Sequence, residues 1–111
     1  MKVKELAEKL NLKVAAGEQG LDKEITGVYI CDLLSWVMSH AQKGNVWITV
    51  QTNINVVAVA VLTEVSCIII PENIEIDAKT IEKANTEGIA VLASSFNSYE
   101  IACGINNECK F

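Results

Sequence analysis

At 111 residues the chain has room for one hydrophobic core and no second domain. Half of its residues are hydrophobic, and fourteen acids against nine lysines give a net charge of −5 with no arginine at all. That balance disfavours nucleic acid, where arginine makes most specific base contacts, and disfavours a tight polyphosphate site, for which bidentate arginine is the preferred group.

The first stretch, Val3, Leu6, Ala7 and Leu10, has the i, i+3, i+4, i+7 spacing of one helix face. It lacks the continuous apolar region of a secretory leader, and the longest apolar run, Val56–Leu62, is too short to span a bilayer. The expectation is a cytoplasmic protein without membrane contact. Leu12–Ala16 reads as a short strand, and Gly17 and Gly20 bracket a turn. Ile25–Cys31 is the next strand. Asp32 is expected to cap a helix running to Ala41, with Gly44 just past its end. Leu33, Leu34, Trp36, Val37, Met38 and Ala41 cover about 200° of that helix, against roughly 100° on an ordinary surface helix, so one face is left wanting a second partner.

Val46–Val50 is a strand carrying Trp47. Ile54–Leu62 has strand-like composition, yet a strand there leaves no crossover between Val50 and Cys67. It is therefore read as a buried helix capped by Asn53. Cys67–Ile70 has the continuous apolar pattern of a central parallel strand. Asp77 is expected to cap a helix to Glu87, ended by Gly88. Ala90–Ala93 is the last strand, and Ser98 is expected to cap the final helix, Tyr99–Cys109.

The gaps between the strands decide the fold class. Residues 32–45, 51–66 and 71–89 separate successive strands, too many for hairpins and enough for crossover helices. The chain reads as a single-domain α/β three-layer sandwich, with a mostly parallel sheet of four to five strands and helices on both faces. In such a sheet ligands bind beyond the carboxyl ends of the strands. Cys31, Asp32, Gln51, Thr52, Asn53, Glu72, Asn73, Ser94 and Ser95 lie at those ends and are the candidate ligand-binding set; the plainer reading makes them helix caps and solvated loop residues.

Catalysis and metal binding find little support. Nucleophilic catalysis needs a nucleophile, a base and an orienting group, and the one histidine, His40, sits late in a helix nine residues beyond Cys31. Cys31, Cys67, Cys103 and Cys109 have no CxxC spacing and read as free thiols. Cys31 and Cys67 stand at opposite ends of parallel strands, so no metal site is expected, and no cofactor. Leu34, Trp36 and Met38 on the over-apolar helix read as a protein interface.

The residues Leu12-Lys13-Val14, Ala16-Gly17-Glu18-Gln19-Gly20-Leu21-Asp22 and Glu24-Ile25-Thr26 resemble the start of the N-terminal domain of bacterial HPr kinase/phosphorylase. The remainder, through Glu87-Gly88-Ile89-Ala90-Val91-Leu92 and Asn97-Ser98-Tyr99-Glu100-Ile101-Ala102, is similar to the related DRTGG domain. That module occurs alone, beside CBS domains and within some phosphate acetyltransferases. The family's Gly-Asp-Arg falls near Val50–Asn53 and its Thr-Gly-Gly near Pro71-Glu72-Asn73, so neither signature is kept. No GxxxxGK[ST] loop is present, and kinase activity is not implied. The resemblance implies the fold, a tendency to self-associate and a regulatory or ligand-sensing role. The expectation is a non-catalytic homodimer binding a small ligand or a partner protein. The alternatives are a small enzyme using Cys31 or Asp32, and a pure interaction module.

Overall fold

The computed structural model describes residues 1–111 and orders the elements α1 (Val3–Lys9), β1 (Lys13–Ala16), a 3-10 turn (Glu18–Gly20), β2 (Gly27–Ile30), α2 (Leu34–His40), β3 (Asn45–Ile48), α3 (Asn55–Thr63), β4 (Cys67–Ile70), α4 (Ala78–Glu87), β5 (Val91–Ala93) and α5 (Ser98–Glu108). The strands form one sheet of five in the order β1-β5-β4-β3-β2; β2, β3, β4 and β5 run parallel and β1 runs antiparallel to β5.

Alternation along the interior strands divides the core in two. Val46, Ile48, Cys67, Ile69 and Leu92 point to one face, where Val3 and Leu6 of α1 and Ile101 and Ile105 of α5 meet them. Trp47, Ile68, Ile70 and Val91 point to the other, against Val37 of α2, Val56, Val57 and Ala60 of α3, and Ala84 of α4. Every residue of β3 and β4 is buried, as a strand covered on both faces requires. The ambiguous Ile54–Leu62 segment is helix: it is the crossover between two parallel neighbours, and topology outweighs its β propensity. Its outer residues Val61 and Leu62 remain exposed.

The caps differ from expectation in four places. α2 begins after Leu33, not Asp32, and has no side-chain cap. The N-cap of α3 is Ile54, which has no side-chain acceptor, and Asn53, expected there, lies one residue earlier. Asp77 stands at the N-cap of α4 but makes no capping hydrogen bond. α5 is capped by Asn97 rather than Ser98: Asn97 Oδ1 accepts from the Glu100 N–H at 2.8 Å, and Glu100 Oε1 accepts from the Asn97 N–H at 3.0 Å. The reciprocal box at Asn97 and Glu100 satisfies two end donors, whereas Ser98 is already inside the helix.

Candidate functional site

The carboxyl edge of the sheet separates into two polar groups. Over β2 and β3, the Asp32 carboxylate accepts from the Thr49 hydroxyl at 2.8 Å and from the Val50 N–H at 2.9 Å, both at Oδ1. Gln51 returns the contact, its side-chain amide donating to the Asp32 carbonyl at 3.1 Å and its N–H to Thr49 Oγ1 at 3.2 Å. Asp32 therefore ties the β2 exit to the β3 exit instead of capping α2. Trp47 Nε1 donates to the Cys31 carbonyl at 2.9 Å across the same two strands. Thr52 offers its carbonyl to the buried Thr80 hydroxyl at 2.6 Å, which anchors α4. Asn53 Oδ1 accepts from the N–H of Asn55, the first residue of α3, at 2.9 Å, but Asn53 lies two residues ahead of the helix and is not its N-cap.

Over β4 and β5 the linkage is through the backbone. The Glu72 N–H donates to the Phe96 carbonyl at 2.9 Å and the Asn73 N–H to the Ser94 carbonyl at 3.0 Å. Ser94 Oγ accepts from the Phe96 N–H at 3.1 Å. Glu72 and Asn73 both hold positive φ, 60° and 55°, the left-handed backbone that glycine adopts at least cost.

All nine candidate residues lie on the one edge, but no side-chain hydrogen bond joins the two groups. Asp32, Gln51, Thr52 and Ser94 are engaged in holding loops. The side chains of Asn53, Glu72, Asn73 and Ser95 are exposed and face solvent.

The opposite edge holds a feature the sequence reading missed. A cleft of about 620 Å³ opens at the amino ends of the strands, lined by Thr26, Lys43, Gly44, Val61, Glu64 and Ser66 among others. The Thr26 hydroxyl donates to the Lys43 carbonyl at 2.7 Å and the Ser66 hydroxyl to the Glu24 carbonyl. Lys43 and Glu64 pair at 3.7 Å on the rim. Gly44 and the hydroxyls preceding β2 and β4 were the available signals, since small residues ahead of strands allow close backbone approach.

The thiols are spread across the molecule. Burial pushes Cys67, at the start of β4, up to about 12, and burial likewise raises Cys109, so both are held protonated. Cys31 is half-buried at the other edge and Cys103 is exposed on α5. On α2, Leu34 packs partly against the core, while Leu33 (63% exposed), Trp36 (52%) and Met38 (48%) stand in solvent. The Trp36 ring stacks on His40 with centroids 4.0 Å apart.

A family model described as the DRTGG domain matches residues 5–107. No curated protein is similar enough to count as a relative. Among solved structures, the chain is similar to the CBS and DRTGG domains of the regulatory region of Clostridium perfringens pyrophosphatase, which was solved in complex with its activator, diadenosine tetraphosphate. The TM-score is 0.74 at 15% identity, over 94% of this chain and 45% of that one.

Proposed function

The chain belongs to the DRTGG domain family, and from that premise we propose that it is a non-catalytic regulatory domain that senses a small ligand at the carboxyl edge of its sheet and works as a cytoplasmic homodimer. The observation that carries this reading is the division of labour at that edge. Asp32, the strongest candidate for a catalytic carboxylate, is bound at one oxygen by a buried hydroxyl and a backbone N–H, and Cys31 has the Leu33 carbonyl as its neighbour rather than a base. Those residues act as fasteners. Asn53, Glu72, Asn73 and Ser95 are exposed beside them and form the face a ligand meets. The neighbouring pyrophosphatase region, regulatory and activator-bound, supports the same class of role for this chain. Kinship with the N-terminal domain of HPr kinase/phosphorylase, suggested by Leu6–Thr26, fits a regulatory module as well. The dimer is supported by Leu33, Trp36 and Met38, with Trp36 as its aromatic anchor.

A pure interaction module is favoured by the same apolar α2 surface. A thermal-shift screen over nucleotides, phosphorylated metabolites and organic acids separates the two. The sensing reading expects at least one compound to raise the melting temperature, with the shift reduced by Asn73→Ala and Ser95→Ala and kept in Val61→Ala of the amino-edge cleft. Silence across the screen from a stable dimer favours the interaction module. A shift lost only with Val61→Ala moves the ligand to the cleft.

A further inference from the structure

The two outer strands of the sheet are built differently. β1 opens on Lys13 and has a register irregularity between Val14 and Ala16. A charge and a bulge are two of the devices that keep an edge strand from pairing with another chain. β2 has neither. Gly27-Val28-Tyr29-Ile30 contains no charge and no proline, pairs in unbroken register with β3 and has no strand on its other side. Cys31 donates its N–H to the Ile48 carbonyl of β3. Residues of a parallel strand alternate in the direction of their backbone groups, so Tyr29 faces β3 as Cys31 does. Val28 and Ile30 then turn both N–H and C=O outward, and neither takes part in any turn or loop hydrogen bond.

We propose that β2 pairs antiparallel with β2 of a second copy of this chain, across a two-fold axis at Tyr29, joining two five-stranded sheets into one. This rests on the homodimer reading above and supplies its contact. In that register Val28 stands opposite the partner's Ile30, and Ile30 opposite the partner's Val28. Each such pair exchanges two backbone hydrogen bonds, so every outward N–H and C=O of both strands is matched. Only a strand whose outward residues lie symmetrically about the axis closes on itself in this way, and a two-fold contact repeats each gain.

Charge and area point to the same occupant. Two copies carrying −5 each repel unless they meet where charge is sparse. From Thr26 to Gln42, through β2 and α2, Asp32 is the one acid and no lysine occurs. The helices of this face are ordered α2-α3-α4, which puts α2 at the same side of the molecule as β2. Ile30, Leu33, Trp36 and Met38 are each about half exposed or more. Together they bring on the order of 400 Å² per copy, roughly half of what each partner contributes to a standard interface, before the paired strands are counted.

Two variants test the pairing. Tyr29→Cys, in a background carrying Cys31→Ser and Cys103→Ser, places sulfurs opposite one another at the axis, where Cα atoms of such a pair lie about 4.5 Å apart and a disulfide can close. Mild oxidation is expected to convert most of the protein to a covalent dimer, and the same treatment of Tyr99→Cys is not. Val28→Pro removes an N–H that no bond within the chain uses, at an edge position where proline is tolerated. It is expected to keep the far-UV circular dichroism of the wild type and to weaken the dimer by about tenfold or more in sedimentation equilibrium. A wild-type monomer at every concentration from nanomolar to submillimolar overturns both the pairing and the homodimer. A wild-type dimer that gives no cross-link at position 29 overturns the edge pairing alone. If Val28→Pro does not fold, the cross-link decides by itself.

Discussion

The two ends of the parallel strands solve the same problem with different chemistry. Each must hold the loops that enter or leave the sheet. At the amino ends the solution is close backbone approach. Gly17, Gly44 and Gly88, the three glycines with positive φ, all sit there. A Cβ on Gly17 would lie 1.8 Å from the Ile89 carbonyl oxygen, and one on Gly44 would lie 2.6 Å from the Thr26 side chain. At the carboxyl ends the exits of β2 and β3 are tied by a side-chain acceptor, with Asp32 clasping the exit of β3; the exits of β4 and β5 are tied by backbone bonds from Glu72 and Asn73, which fill the left-handed positions there. One end is intolerant of an added methyl. The other depends on particular polar atoms and tolerates bulk. The cleft remains open at the end built by glycine.

The largest effect that sharpens this contrast is at Gly44. Its φ of 86° puts any L residue in a strained backbone, and the new methyl meets Thr26, whose hydroxyl is already committed to the Lys43 carbonyl. Gly44→Ala is expected to lower stability by about 3 kcal/mol, from left-handed strain and the contact together. Urea unfolding gives the value. A loss under about 1 kcal/mol means that Thr26 rotates away freely and that the amino end is less tightly built than its distances imply.

Next is Asp32. Asp32→Ala removes the acceptor for the Thr49 hydroxyl, and Thr49 is 1% exposed. A buried donor left without a partner costs about 1–3 kcal/mol, so a loss near 2 kcal/mol is expected. Asp32→Asn, which keeps an oxygen at the same place, should recover at least half of it. Equal losses in the two variants would mean that the charge, not the acceptor geometry, holds the edge.

These two residues also mark what the sequence makes legible. The strand and helix order follows from hydrophobic period and gap length, and β3 and β4 are recognisable as central strands by their unbroken apolar runs. The edge on which the polar residues gather follows from topology. What each polar atom does there does not. Asp32 stands where a cap would stand, and a carboxylate before a helix is a good cap; the Thr49 hydroxyl and Val50 N–H, distant in sequence, compete for it and win. Asn97 and Ser98 are both competent caps, and only the reach of Glu100 to the Asn97 N–H distinguishes them. The amino-edge cleft is illegible for a related reason. It is a gap between α3 and the Thr26 and Lys43–Gly44 loops, and no local pattern encodes a gap.

Cys67 provides a smaller test at the amino end. Its folded value is raised from 9.0 to about 12 by burial, so the folded state holds the thiol proton more tightly than the unfolded chain. The contribution is complete below pH 9.0 and is lost as the pH climbs from there towards about 12. At one pH unit above the unfolded value the loss is about 1.4 kcal/mol. Comparing the alkaline limb of stability in wild type and Cys67→Ala isolates it: the variant's curve should be flatter by that amount. Parallel curves would mean that Cys67 reaches water in the folded protein, against its full burial.

The smallest expected effect is a gain, at the carboxyl end. Glu72 holds φ at 60° beside Asn73 at 55°, and the backbone N–H groups of both are fixed by the Phe96 and Ser94 carbonyls. A glutamate in the left-handed region costs about 1–2 kcal/mol relative to its ordinary backbone, whereas asparagine visits that region routinely. Glycine removes the strain but loses about 0.5–1 kcal/mol of conformational entropy on folding. Glu72→Gly should therefore stabilise by about 0.5 kcal/mol, and Asn73→Gly should be close to neutral. The pair separates structure from sensing, because an added glycine at either place leaves the backbone bonds intact while taking away the exposed side chain. A Glu72→Gly protein that is more stable than wild type yet no longer shifts with a compound that wild type binds assigns Glu72 to ligand recognition. Destabilisation by Glu72→Gly would mean that the glutamate side chain, and not the loop backbone, sets the conformation of this end of the sheet.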